Sequence, residues 1–212
     1  MENITKPIIY IDGQNFIYKA AEVLIAEGRI SEKQQLHTFS FSHLFGNLMK
    51  SDQSEIRYYG TKLRSHRSPP EIAAKSIVTL DSQRKLRNSL ARDSVGFIES
   101  GKLKLREGDI RKHCGKQDPH FQEKGVDVRL AVDMLKDLYK NKTNTFVVVS
   151  SDTDLLPPIR EVREMGGKVI YVGFSNKLTK AIIENANETQ VIRDSEILEA
   201  YDIMNPQTTL DE

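Results

Sequence analysis

The chain holds a single cysteine, Cys114, so it can close no internal disulfide, and one thiol cannot build a zinc site by itself. His113 and His120 stand near it but bring neither a fourth soft ligand nor the spacing that zinc sites use. Long apolar stretches are missing as well. A membrane-spanning helix needs roughly 20 such residues in a row, whereas the longest runs here, Ile8-Ile9-Tyr10-Ile11 and Phe146-Val147-Val148-Val149, are strand-sized. The N-terminal Met-Glu-Asn-Ile-Thr-Lys has no basic stretch leading into an apolar one, so no secretory leader is expected. A reducing, cytoplasmic setting is therefore the expectation. No Gly-x-Gly-x-x-Gly follows the first apolar run, which argues against dinucleotide binding. Neither an internal repeat nor a low-complexity linker divides the 212 residues, so 1–204 read as one domain and 205–212 as a polar tail.

What is present suits a chain that buries a core: 38% hydrophobic and 29% charged residues. The charge is unevenly spread. Residues 57–116 carry fifteen Lys/Arg against six Asp/Glu, a balance of +9, which leaves −8 for the rest of a chain of net charge +1. Such asymmetry fits a polyanion-binding face on an acidic body. A solvated basic loop region is the plainer alternative.

Short β-rich runs alternate with helical patterns, the mark of a parallel α/β architecture. Strands are expected at 8–11, 55–59, 95–98, 102–106, 145–149, 168–172 and 189–192. Helices are expected at about 16–26, 32–49, 79–92, 125–140, 155–165, 177–186 and 195–204, with a loop at 115–121. The almost wholly apolar run at 145–149 suits the centre of a parallel sheet covered on both faces.

In an open parallel α/β sheet, ligands bind beyond the carboxyl ends of the strands. Asp12 follows the first expected strand, and Asp152 follows the strand at 145–149 with two serines between. Asp154 lies two residues further on, and Asp127 falls in the first turn of the helix starting near 125. If the strands of Asp12 and Asp152 are neighbours, three or four carboxylates meet on one rim. Crowded carboxylates repel and raise one another's pKa; a divalent cation relieves that. Magnesium takes oxygen ligands, typically one or two carboxylates with waters and phosphate oxygens. Each aspartate also has a structural reading. Asp12 and Asn15 suit a turn and a helix cap. Asp154 suits the cap of a helix whose early positions hold Pro157 and Pro158, and Asp127 complements a helix dipole. Capping accounts for each residue alone, not for four gathered at one edge. Asp133 stands about 120° round the helix from Asp127 and is left to a solvent-facing or structural role.

Ile11-Asp12-Gly13-Gln14-Asn15 resembles the first motif of NYN domains, especially their LabA-like branch. Lys124-Gly125-Val126-Asp127-Val128, running on through Leu130-Ala131-Val132-Asp133-Met134-Leu135, resembles the second. Val149-Ser150-Ser151-Asp152-Thr153-Asp154 resembles the third, and Gly167-Lys168-Val169 with Val172-Gly173 resembles the strand that follows. The matches come in the family's order and cover roughly 6–60 and 122–195. Leu155 stands where relatives often have phenylalanine, and the basic segment at about 61–121 reads as an insertion without a counterpart.

The resemblance implies a PIN-like, Rossmannoid three-layer α/β sandwich with a mainly parallel central sheet. It also implies a metal-dependent endoribonuclease acting on phosphodiester bonds. Asp12, Asp127, Asp152 and Asp154 would form the acidic site for Mg²⁺ or Mn²⁺, with Asn15 and Ser151 positioning phosphate or water. Lys124, beside Asp127, suits a phosphate contact. Single-stranded RNA is the expected substrate, with Lys62, Arg64, Arg67, Arg84, Lys85 and Arg87 as backbone contacts of the salt-dependent kind; a homodimer would extend that basic surface. Tyr58, Tyr59 and Phe97 could stack on bases, although a core role is the stronger expectation. A haloacid-dehalogenase-type phosphatase would want Asp-x-Asp where this chain has Asp12-Gly13-Gln14, and a Toprim domain would want a glutamate in its first motif. The competing reading from another class is a non-catalytic RNA-binding or scaffold protein that retains the NYN fold.

Overall fold

Strands and helices alternate through the computed structural model, which describes residues 6–51, 53–62, 70–106 and 120–206, with backbone alone at 34, 62, 70–72, 74, 75, 102–106 and 120–123. The order is β1 (Ile8–Asp12), α1 (Gly13–Ala26), α2 (Phe41–Met49), β2 (Glu55–Lys62), α3 (Pro70–Arg92), β3 (Gly96–Arg106) and β4 (His120–Lys124). There follow α4 (Val126–Tyr139), β5 (Thr145–Val149), α5 (Leu156–Glu164), β6 (Lys168–Phe174), α6 (Lys180–Asn185), β7 (Glu188–Ile192) and α7 (Asp194–Met204).

Among the described residues these strands form one seven-stranded sheet, in the order β4-β3-β2-β1-β5-β6-β7. Six of its strands run parallel, and β4 alone is antiparallel, hydrogen-bonded to β3 at the edge. Side chains alternate across the pleat, so the sheet buries two faces. Ile9, Ile11, Val147, Val149, Ile170 and Val172 pack with α1, α2, α7 and Leu90 of α3. Ile8, Tyr10, Tyr59, Phe146, Val148 and Tyr171 pack with α4, α5 and α6. The three-layer α/β sandwich expected from the sequence is therefore what forms. Phe146, Val147, Val148 and Val149 are each at most 2% exposed, and burial of such a side chain is worth roughly 1.5–3 kcal/mol. The segment 61–121 is not peripheral to this sheet, since its described part supplies α3, β3 and the start of β4.

Three local readings change. The helix expected over 32–49 divides into a 3-10 turn at Lys33–Gln35 and α2, with 36–40 extended between them. The cause is Ser40, whose hydroxyl accepts the N–H of His43 (3.3 Å) and caps α2, while Phe39 and Phe41 pack edge-on against each other across the cap. The two strands expected at 95–98 and 102–106 are one, β3, which passes through Gly101 at φ 71°. A Cβ at Gly101 would stand 2.2 Å from the Lys124 carbonyl oxygen, so glycine lets β4 lie close. Helix α3 begins at Pro70, nine residues before the expected start at 79. Cys114 and His113 lie outside the described residues, as do Arg64, Arg67 and most of the loop expected at 115–121.

Candidate functional site

Strand β1 pairs with β2 on one side and β5 on the other, all parallel. The connections leave β1 and β5 in opposite directions across the sheet, so the gap above their carboxyl ends is the topological switch point where such folds bind ligands. Ile11 opposite Val149 is the last β1–β5 pair, which places Asp12 and Ser150 next to each other at the rim. Helix α1 has to start at once. A Cβ at Gly13 would meet the Tyr58 ring at 2.3 Å and the Tyr59 carbonyl oxygen at 2.5 Å, so only glycine permits this turn.

The rim is wired through hydrogen bonds. Asp12 Oδ1 accepts the N–H of Asn15 (3.1 Å), which caps α1, and Oδ2 accepts the Ser150 hydroxyl (3.0 Å). Ser150 Oγ in turn accepts the N–H of Asp152 (3.1 Å), and Asp152 Oδ1 accepts the N–H of Asp154 (3.0 Å). Asn15 Nδ2 donates to Ser151 Oγ (2.9 Å), and the Ser151 N–H donates back to Asn15 Oδ1 (3.3 Å). The loop after β6 is drawn in as well: Thr179 Oγ1 donates to the Ser151 carbonyl oxygen (3.0 Å), and its N–H donates to Tyr171 Oη (3.2 Å).

Asp12 carries the electrostatic signature of the site. Burial pushes its carboxyl above the ordinary aspartate value of 3.8; the bonds from Asn15 and Ser150 pull it down, and the charges of Asp152 and Asp127 push it up further. The net displacement is upward. Asp127 enters from the other side of the chain, half-buried in the first turn of α4, which follows Gly125 at φ 84°. Of the four aspartates picked out in the sequence, Asp12, Asp152 and Asp127 thus come within electrostatic reach of one another. Asp154 is exposed and joins the set through its backbone N–H. The capping reading of Asp154 does not hold, because the side chain that caps the turn at Thr153–Leu155 is Asp152.

Among the described residues no three acids, imidazoles or thiols form a ready-made ligand set for one ion. The donors nevertheless suit a hard divalent cation. Asp12 and Asp152 are oxygen donors linked through one serine hydroxyl, and magnesium needs only one or two carboxylates from the protein when waters and phosphate complete its shell. The mutual repulsion registered at Asp12 is what a cation would cancel.

The basic residues are scattered. Lys124 is exposed at the end of β4. On α3, Arg84 is exposed, Lys85 pairs with Asp81 (2.8 Å), and Arg87 pairs with Glu99 (3.1 Å) while lying 4.6 Å from the Phe97 ring centroid. Arg84, Arg87, Gln83 and Asn88 line an open cleft of about 590 Å³. That cleft lies beside β3, two strands from Asp12, so convergent carboxylates rather than cleft size mark the site. Arg64, Arg67 and the side chain of Lys62 lie outside the described residues. Tyr58 and Tyr59 are 4% and 0% exposed and belong to the core, so neither can stack on a base. Sequence reasoning passed over Ser150, although it sits inside the third motif, and Thr179, which no local pattern links to Ser151.

The chain belongs to the NYN domain family, whose model matches residues 6–195. This is a PIN-like nuclease family, and its nucleases generally use divalent metals. An uncharacterized protein of Methanocaldococcus jannaschii is 38% identical over 65 residues, which cover 31% of this chain and 27% of that protein. The chain therefore spans about a quarter of that relative's length. A crystal structure of a protein of unknown function from Vibrio parahaemolyticus superposes with a TM-score of 0.55, covering 91% of this chain and 95% of that one. At 15% identity the likeness is one of fold.

Proposed function

We propose that this protein is a divalent-metal-dependent ribonuclease that hydrolyses internal phosphodiester bonds of single-stranded RNA. The observation that carries the reading is the meeting of Asp12, Asp152 and Asp127 at the switch point, with Asp12 pushed above its ordinary value by burial and by its two neighbours. Mg²⁺ or Mn²⁺ would be held by Asp12 and Asp152, and Asp127 and Asp154 would act through its waters or on a second ion. Such an ion supplies a water acidic enough to attack at neutral pH and positive charge for the phosphate oxygens.

The chain's own groups do the positioning. Ser150 fixes the rotamer of Asp12 and the backbone of Asp152, and the Asp154 N–H holds the Asp152 carboxylate, so both carboxylates are preorganised. Asn15 and Ser151 present an amide and a hydroxyl beside them, suited to orienting a phosphate oxygen or the attacking water. Lys124 offers a cation on the Asp127 side. The second reading is a non-catalytic RNA-binding or scaffold protein that retains the NYN fold.

Incubation of labelled single-stranded RNA and DNA with Mg²⁺ or Mn²⁺ separates the two. The nuclease reading requires RNA cleavage that disappears in both Asp12→Asn and Asp152→Asn. Cleavage surviving both substitutions would place the chemistry elsewhere, and binding without cleavage under every metal would favour the scaffold.

A further inference from the structure

Lys19 lies in the middle of α1 with only 8% of its surface exposed. Its ammonium group has no carboxylate or carbonyl partner among the described residues; its one specific contact is the Phe174 ring, 5.6 Å from Nζ to centroid. The acid nearest in sequence on its own helix, Glu22, is already taken by Lys177 (3.2 Å). Asp12 acts on Lys19 through its field, yet the two are not an ion pair. Nζ is not among the fully buried unpartnered atoms, so a mostly covered stem carries a partly desolvated cation to the surface with no anion beside it, an arrangement suited to an anion that arrives with a ligand. Phe174 ends β6, at the same carboxyl edge of the sheet as Asp12 and Ser150. Lys177 follows three residues later, so two amines flank the rim on the side of α1 and the loop after β6.

We propose that Lys19 binds a backbone phosphate of the nucleic-acid strand next to the scissile one, and that the strand leaves the carboxylates over α1 and the β6–α6 loop. This rests on the nuclease reading of the site.

The test is direct binding of a short fluorescein-labelled single-stranded RNA in Mg²⁺, in an Asp152→Asn background that keeps the strand uncut. Lys19→Met retains the aliphatic stem against Phe174 and removes the charge. It should weaken binding about tenfold or more, as loss of a charge-assisted hydrogen bond does. It should also lower the slope of log affinity against log salt by about 0.7, the value for one phosphate contact on a single strand. Lys19→Arg should recover most of both. A purely structural lysine would instead change the melting temperature and leave the salt slope alone. Unchanged affinity and slope in Lys19→Met, with wild type still cleaving RNA, overturns the Lys19 assignment by itself. A parent protein that binds neither RNA nor DNA overturns the nuclease reading and this inference with it.

Discussion

Asp137 is ten residues from Asp127 on α4, and its loss should be felt at both ends of that helix. It is 7% exposed and sits between two strands. Tyr10 Oη of β1 donates to its Oδ2 at 2.9 Å, and the Arg57 guanidinium of β2 donates to the same oxygen. Burial works against the charge of Arg57, but hydrogen bonds to Glu55 and Asp137 outweigh it and keep the guanidinium cationic at every working pH. Asp137→Ala would leave that cation, 10% exposed, with the Tyr59 hydroxyl and with Glu55, an acid that is half in solvent. Breaking a buried pair costs about 3–5 kcal/mol; the surviving Glu55 bond argues for the lower end, about 3 kcal/mol. The orphaned Tyr10 hydroxyl adds about 1 kcal/mol. Lys142, 3.6 Å from Asp137 but 53% exposed, adds little. The expected total is about 4 kcal/mol, a fall in melting temperature of about 8–16 °C for a chain of this size. Asp137→Asn, which keeps an acceptor for Tyr10, should cost about half as much. Replacing both partners, Arg57→Met with Asp137→Leu, should recover most of the loss, because a buried pair is roughly replaceable by packed apolar groups. Urea melts followed by circular dichroism measure all of these. A loss below about 1 kcal/mol in Asp137→Ala would refute the claim that this pair anchors α4. Because Tyr10 and Asp12 share one face of β1, and Asp127 rides on α4, the same variant should also cleave less well at temperatures where it is still folded.

Three further outcomes follow from the rim. Asp12→Asn should raise the melting temperature at neutral pH while abolishing cleavage. The folded pKa of Asp12 lies above its ordinary 3.8, so the ionised carboxylate destabilises the fold above the folded pKa, and the penalty fades as pH falls towards that ordinary value; a melting series in which the variant's advantage grows towards acid pH would contradict this. Ser150→Ala removes a bond that favours the ionised form, so the acid limb of the pH–rate profile should move to higher pH, whereas an unmoved limb would show that Asp12 does not control it. Gly13→Ala places a Cβ against the Tyr59 backbone as well as the Tyr58 ring, and overpacking of this kind costs about 1–3 kcal/mol; denaturant melts equal to wild type would show that the turn can relax.

The sequence exposes the outline of the site because the outline is local. Strand periodicity located Asp12 and Asp152 at strand ends, and the bare four-residue run from Phe146 to Val149 announced a central strand. It could state only as a condition that β1 and β5 are adjacent, which is a matter of sheet order, and the hydrogen bonds that depend on that order stayed hidden. Ser150 reaches Asp12 across 138 residues, and Thr179 reaches Ser151 across 28. Nothing local singles out Lys19, because the ring beside it, Phe174, arrives from β6. The Tyr10–Arg57–Asp137 network was invisible for the same reason. The helix expected over 32–49 failed differently. Its apolar residues have roughly helical spacing, but Ser40 caps α2 in the middle of the run, and a cap overrides periodicity.

The central claim is that Asp12 and Asp152 share a divalent ion. Crystals soaked in Mn²⁺ and measured for anomalous scattering test it most directly. The account predicts an anomalous peak bounded by these two carboxylates, lost in Asp152→Asn. A saturating soak that leaves this rim empty while Mn²⁺ binds elsewhere on the molecule would contradict it.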